Sequence, residues 1–219
     1  MNNVGENILE LKKGLAENVT LVAVSKTKPL NMIQDAYDKG QRVFGENKVQ
    51  DLADKYEALP KDIEWHMIGH LQTNKVKYIV PFVNLIHGVD SVKLFKEINK
   101  RARNSNRIQP VLLQIHIAQE DTKFGLSFEE AEELLALSIS EEFTNITIQG
   151  FMGMATNTED ENQVESEFKS LHNFYLEKKK EYTSLDTLSM GMSGDYKLAI
   201  ACGSNMIRIG STLFGARNY

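Results

Sequence analysis

Eight short apolar runs, each followed by an amphipathic stretch, succeed one another along the whole chain. They are "TLVAVSK" (20–26), "RVFGE" (42–46), "EWHMIG" (64–69), "VNLIHGV" (83–89), "PVLLQIHIA" (110–118), "ITIQGFMGM" (146–154), "TLSMGM" (187–192) and "MIRIGSTLFG" (206–215). The intervening stretches carry apolar residues at three- and four-residue spacing, as Val164, Phe168, Leu171 and Tyr175 do, which predicts helices. "SFEEAEELLAL" begins on Ser127 with Glu130 three residues on, the signature of a capping box. Strands alternating with helices pair in parallel through crossovers, and eight such units predict a closed α/β barrel of the (β/α)8, TIM type. An open doubly wound sheet also has parallel strands and is the alternative. Eight units with none left over favour the barrel.

The chain has 219 residues, only four prolines and no glycine–serine linker, so a single domain over 1–219 is expected. Such barrels typically take about 250 residues, which makes this one minimal, with no chain left for a lid domain. A net charge of −5 argues against nucleic acid or an anionic membrane as partner. No apolar run approaches the ~20 residues of a membrane span, and "MNNVGENILELKKG" lacks the pattern of a signal peptide. Cys202 is the only cysteine, so no internal disulfide forms and a reducing, cytoplasmic setting is expected. Within "LAIACGS" it reads as a small core residue.

Val22, Val24 and Lys26 share one face of an extended chain, so an ammonium points where two valines point. In a barrel, Lys26 would stand at the carboxyl end of the first strand, the rim where such folds assemble their sites. A lysine there either snorkels into water or serves as a Schiff-base amine. The second role needs the neutral amine, which costs about 4–5 kcal/mol at pH 7 for an ordinary lysine of pKa ~10.4; an apolar mouth lowers that cost.

The far end of the chain supplies a counterpart. Gly191, Ser193 and Gly194 follow the seventh run, and Gly210, Ser211 and Thr212 follow the eighth. Small residues let backbone N–H groups converge and hydroxyls add donors, at the position where these barrels recurrently bind phosphate. Closure brings the eighth strand beside the first, and so brings this cradle beside Lys26. An amine that reacts with aldehydes next to a phosphate site describes a site for pyridoxal 5′-phosphate (PLP).

The motifs "AVSKTKP", "FGENKVQD", "WHMIGHLQTNK", "GFMGMA", "SMGMSGDYKLAI" and "MIRIGSTLFG" resemble those of the pyridoxal phosphate homeostasis proteins, from residue 21 to residue 215. The resemblance implies a PLP-bearing barrel similar to the N-terminal domain of alanine racemases, without their C-terminal β-domain. It implies PLP binding and buffering in the cell with no established catalytic reaction. The sequence leaves open whether PLP passes to PLP-dependent apoenzymes, and with no partner domain demanding dimerisation it is compatible with a monomer or weak homodimer. The resemblance assigns Lys26 as the Schiff-base lysine, and Ser193, Gly210, Ser211 and Thr212 to the phosphate. Arg208 is assigned to face the pyridine nitrogen, Asn47 to the rim, and Met190 to a place beside the ring.

Two alternatives stand beside this expectation. A minimal amino-acid racemase would need a second acid/base opposite the lysine, which racemases take from a C-terminal domain. In addition, "DTKFG" carries Lys123 where that family has arginine. A cofactor-free aldolase using Lys26 on a phosphorylated sugar is the other. His66 and His70 are four apart, but in a strand rather than a helix, so hydrogen-bonded structural roles are expected for them. His116 is read as a satisfied core histidine whose stripe, with Gln114 and Leu112, looks into the lumen. Asp195 is expected to cap its helix, while Glu46, a lone glutamate beside Asn47, carries little information by itself.

Overall fold

A computed structural model describes residues 4–120 and 124–215. Helix α1 (Val4–Lys13) precedes strand β1 (Thr20–Val24), which leads to α2 (Leu30–Asp38), β2 (Val43–Glu46), α3 (Val49–Ala58) and β3 (Glu64–Met67). A 3-10 turn at Thr73–Lys75 runs into α4 (Val76–Ile79), followed by β4 (Leu85–Val89), α5 (Val92–Asn104), β5 (Gln109–Ile115) and α6 (Phe128–Ser138). The chain finishes through β6 (Ile146–Gly153), α7 (Glu161–Lys178), β7 (Thr187–Ser189), α8 (Tyr196–Ala201), β8 (Met206–Ile209) and α9 (Ser211–Phe214). Every expected strand is present. Each pairs in parallel with the next, and β8 pairs with β1 to close the barrel.

Two apolar layers hold this fold, and the two-residue period of the strands sorts side chains between them. Outward residues such as Ala23, Phe44, Trp65, Leu113, Phe151 and Ile207 are buried against the helices. Inward residues Val22, Leu85, Leu112, Met152 and Met206 pack on one another as a plug in the lumen. Burying the four periodic residues of α7 is what docks that helix. The capping box at Ser127 and Glu130 forms in both directions. No described helix is long and apolar enough to cross a membrane.

The closing seam decides the site. Thr20 pairs with Met206, Leu21 with Ile207, Val22 with Arg208 and Ala23 with Ile209. The inward faces of β1 and β8 therefore meet, with Val22 beside Arg208 and, one step higher, Val24 packed near Gly210.

Candidate functional site

Above the apolar plug the lumen opens into a cavity of about 520 Å³ at the carboxyl ends of the strands. That size suits a small organic ligand. Lys26, Lys28 and Arg208 all line it, and no Asp or Glu does among the described residues. A chain with net charge −5 thus concentrates three cationic side chains on one concave surface. Such a wall selects an anion.

Lys26 stands two residues past the end of β1, in a turn closed by the Lys28 N–H donating to the Ser25 carbonyl at 3.0 Å. The expected strand position is therefore corrected by a short distance, because Ser25 leaves the ladder after its N–H bonds Gly45 O. Lys28 reaches across the seam and donates to the carbonyls of Phe214 and Gly215, each at 3.1 Å.

The turns after β7 and β8 meet each other. Ser193 Oγ accepts the Gly210 N–H at 3.3 Å, and Arg208 N–H donates to Gly191 O at 3.0 Å. Gly191 has φ +93°, and a Cβ there would lie 2.7 Å from Ala199 Cβ, so only glycine lets α8 sit against this turn. Asp195 shapes the same loop by accepting the Met192 N–H at 2.6 Å. It makes no side-chain bond to the first turn of α8, so the expected cap is corrected: it ties the turn instead. Ser193, Gly194, Gly210 and Ser211 all line the cavity.

Arg208 lies deeper and is 4% exposed. Its guanidinium donates to Ser189 O at 2.9 Å, Ser189 Oγ at 2.6 Å and Gly153 O at 3.0 Å. Burial lowers its pKa to about 10, which still leaves it cationic at neutral pH. Behind it runs a buried polar chain: Ser189 Oγ lies 3.2 Å from His87 Nδ1, and His87 Nε2 lies 3.0 Å from His66 Nδ1. Burial lowers the pKa of His66 to about 3, and burial together with His66 and Arg208 holds His87 well below its ordinary value.

Asn47 and Gly69 border the cavity from the β2 and β3 side. A Cβ at Gly69 would lie 2.6 Å from Asn47 O, so the glycine permits these two chain segments to touch. His70 also lines the cavity, bonded to Asp90 at 2.9 Å and stacked on Phe124 with centroids 4.7 Å apart. Gln114 faces inward and donates to Phe124 O at 2.7 Å, which orders that wall.

Of the residues singled out in the sequence, Lys26, Asn47, Ser193, Gly194, Arg208, Gly210 and Ser211 line the cavity, and so do His70 and Gln114. Two of those assigned to the cofactor do not. Met190 is fully buried against the helices, one residue out of phase with inward-facing Ser189, so Met192 borders the cavity in its place. Thr212 turns toward α1 and borders a groove with Asn7 and Leu11. His116 is satisfied by Glu120 O at 2.9 Å, and Lys123 lies outside the described residues. Sequence reasoning missed Lys28, His87, Ser189 and Phe124. Strict alternation from outward Leu188 would have found Ser189.

The donor set fits PLP: an amine, two serine hydroxyls and a guanidinium around a cavity whose remaining wall includes Val24, Ile68 and Met154. Comparisons with known proteins agree in their own terms. Residues 1–218 match the family model described as alanine racemase, N-terminal domain. A pyridoxal phosphate homeostasis protein of Aquifex aeolicus is 42% identical over 95% of this chain and 92% of its own length. Its Escherichia coli K12 counterpart is 35% identical over 100% of this chain and 99% of its own. PipY of Synechococcus elongatus, solved with PLP bound, superposes with a TM-score of 0.87 at 34% identity, covering 97% of this chain and 100% of PipY. The alanine racemase of Clostridium difficile 630 shares the fold at a TM-score of 0.80 and 15% identity, with 100% of this chain matched to 58% of that enzyme. This chain belongs to the alanine racemase N-terminal domain family, in the company of its members named pyridoxal phosphate homeostasis proteins.

Proposed function

We propose that the protein binds PLP, holds it covalently through the ε-amine of Lys26, and so keeps a reactive aldehyde in reserve for PLP-dependent apoenzymes of the cytoplasm. One observation carries this reading: Lys26, both glycine–serine turns and Arg208 border a single cavity free of carboxylates among the described residues. PLP supplies an aldehyde that condenses with amines and a ring that can draw electrons from the adduct. Ser193, Ser211 and the neighbouring backbone would hold the phosphate, with Lys28 adding charge nearby. Arg208 would face the pyridine nitrogen. A guanidinium has donors only, so it would keep that nitrogen unprotonated and an acceptor, whereas sites that exploit the ring as an electron sink put an acid there. This would make the ring a poorer electron sink, a feature the resemblance shares with alanine racemases. The homeostasis proteins of Aquifex aeolicus and Escherichia coli, by their names, and PipY, by its bound PLP, support the same reading.

Incubation with PLP should give a visible absorption band, and borohydride should then leave a stable adduct on the peptide containing Lys26. Lys26→Ala should lose that adduct yet retain weaker, phosphate-dependent binding. An adduct of undiminished yield in Lys26→Ala overturns the assignment.

A further inference from the structure

The turn that carries Lys26 is strained and is held from both sides. Thr27 follows Lys26 at φ +64°, a left-handed conformation that β-branched residues rarely adopt. Thr27 is exposed, so packing of its own side chain does not keep it there. What holds the turn is its first residue. Ser25 is fully buried, and each of its polar groups is engaged: N–H to Gly45 O at 3.1 Å, Oγ–H to Glu46 Oε1 at 2.6 Å, and C=O accepting from both Lys28 N at 3.0 Å and Lys55 Nζ at 2.9 Å. Lys55 in turn pairs with the same Glu46 oxygen at 2.7 Å. Beyond Lys26, the other end of the turn is tied by Lys28 to the end of α9.

As a source of stability the Glu46–Lys55 pair is poor. Both side chains are taken out of water, and Glu46 Oε2 is buried with no hydrogen-bond partner. Burial pushes the Glu46 carboxyl upward, with Lys55 and Ser25 opposing that shift. Neither residue borders the cavity. The pair's remaining effect is geometric: it converges on Ser25, the residue before Lys26.

We propose that the buried Glu46–Lys55 ion pair is the positioning device for Lys26, gripping Ser25 so that the strained turn aims the ε-amine into the cavity. This rests on Lys26 being the amine that receives the aldehyde. Glu46 and Lys55 are positioning residues and touch no ligand.

The test uses Glu46→Gln/Lys55→Met, which removes both charges together, and Thr27→Gly, which relaxes the turn from outside the core. Three quantities are read: PLP retained in total, the fraction fixed to Lys26 by borohydride, and hydrogen exchange of the Lys28 amide in ligand-free protein. The double variant should fold and retain PLP within about twofold, since the phosphate turns are untouched, while the Lys26-fixed fraction falls by about fivefold or more. Its Lys28 amide should exchange about tenfold faster. Thr27→Gly should melt higher than the parent yet show the same loss of fixed fraction in smaller degree. A folded double variant with the parent's fixed fraction overturns the proposal, and so does Thr27→Gly with the parent's fraction should the double variant not fold. Failure of the unaltered protein to take up PLP would instead defeat the PLP reading. In that case Lys28 exchange decides the clamp alone, and a rate equal to the parent's overturns it.

Discussion

Arg208 can only donate hydrogen bonds, so Ser189 Oγ accepts one from it at 2.6 Å and keeps its own proton and a second lone pair for other partners. Of the facing ring nitrogens His87 Nε2 and His66 Nδ1, 3.0 Å apart, one carries the proton and the other accepts it. Burial favours the neutral form of both rings. The consequence for stability has a definite sign. Below pH 6.5 the unfolded chain takes up protons on these histidines, while His66 in the native protein resists down to about 3 and His87 is held well below its ordinary range. Stability is therefore lost as pH falls through this window, at about 1.4 kcal/mol per pH unit for each histidine and about 2.7 for the two together. Urea unfolding between pH 6 and 4 measures that slope. His66→Gln, whose side-chain amide can accept from or donate to His87 Nε2, should reduce the slope by about half; the same slope in both proteins would contradict the neutral pair.

At the scale of elements, the turn after β7 decides whether the seventh and eighth strands serve the site. Gly191→Ala forces a side chain into a left-handed backbone and against Ala199 and Tyr196 Cα, the latter 2.9 Å from the added carbon. It should cost about 2–4 kcal/mol and weaken PLP retention about tenfold, because Ser193 lies two residues on. Gly194→Ala meets nothing within 4 Å and should leave stability within about 0.5 kcal/mol. Urea melts and equilibrium dialysis of the two variants check the contrast. The same turn marks how far the sequence could be read. All eight strand segments were visible from apolar runs and their spacing, and so were Lys26 and the two glycine–serine turns. The seventh run was read to residue 192, but the strand ends at Ser189 even though Met190 N–H still bonds Met206 O. The resemblance set Met190 beside the ring, whereas alternation from inward Ser189 turns its side chain to the helices. The inward position of Ser189 is legible from alternation, but His87, Phe124 and the bond that joins Ser189 to His87 across 102 positions are not, because only barrel closure creates that proximity.

For the whole molecule, the site lies on the seam where the first strand meets the last. Lys26 follows β1, and the β8 turn with Ser211 belongs to the closing end of the chain. A ligand anchored on both sides thus cross-links the two ends of the fold. The unfolded chain offers its aldehyde scattered lysines but no phosphate turns, so a ligand that prefers the closed barrel stabilises it by mass action. At about one hundred times its dissociation constant, PLP should add about 2.7 kcal/mol, which for a domain of this size raises the melting midpoint by about 5–10 °C. Removing either anchor should shrink the shift by a route that names the anchor. Pyridoxal, which keeps the aldehyde and lacks the phosphate, should stabilise the unaltered protein less than PLP does. Lys26→Ala should respond to PLP less than the unaltered protein, and should respond almost not at all to pyridoxal. Thermal melts with the two ligands on the two proteins give four shifts. Equal shifts for PLP and pyridoxal in the unaltered protein would mean that the β7 and β8 turns hold no phosphate, and the seam would lose its claim to be the binding site.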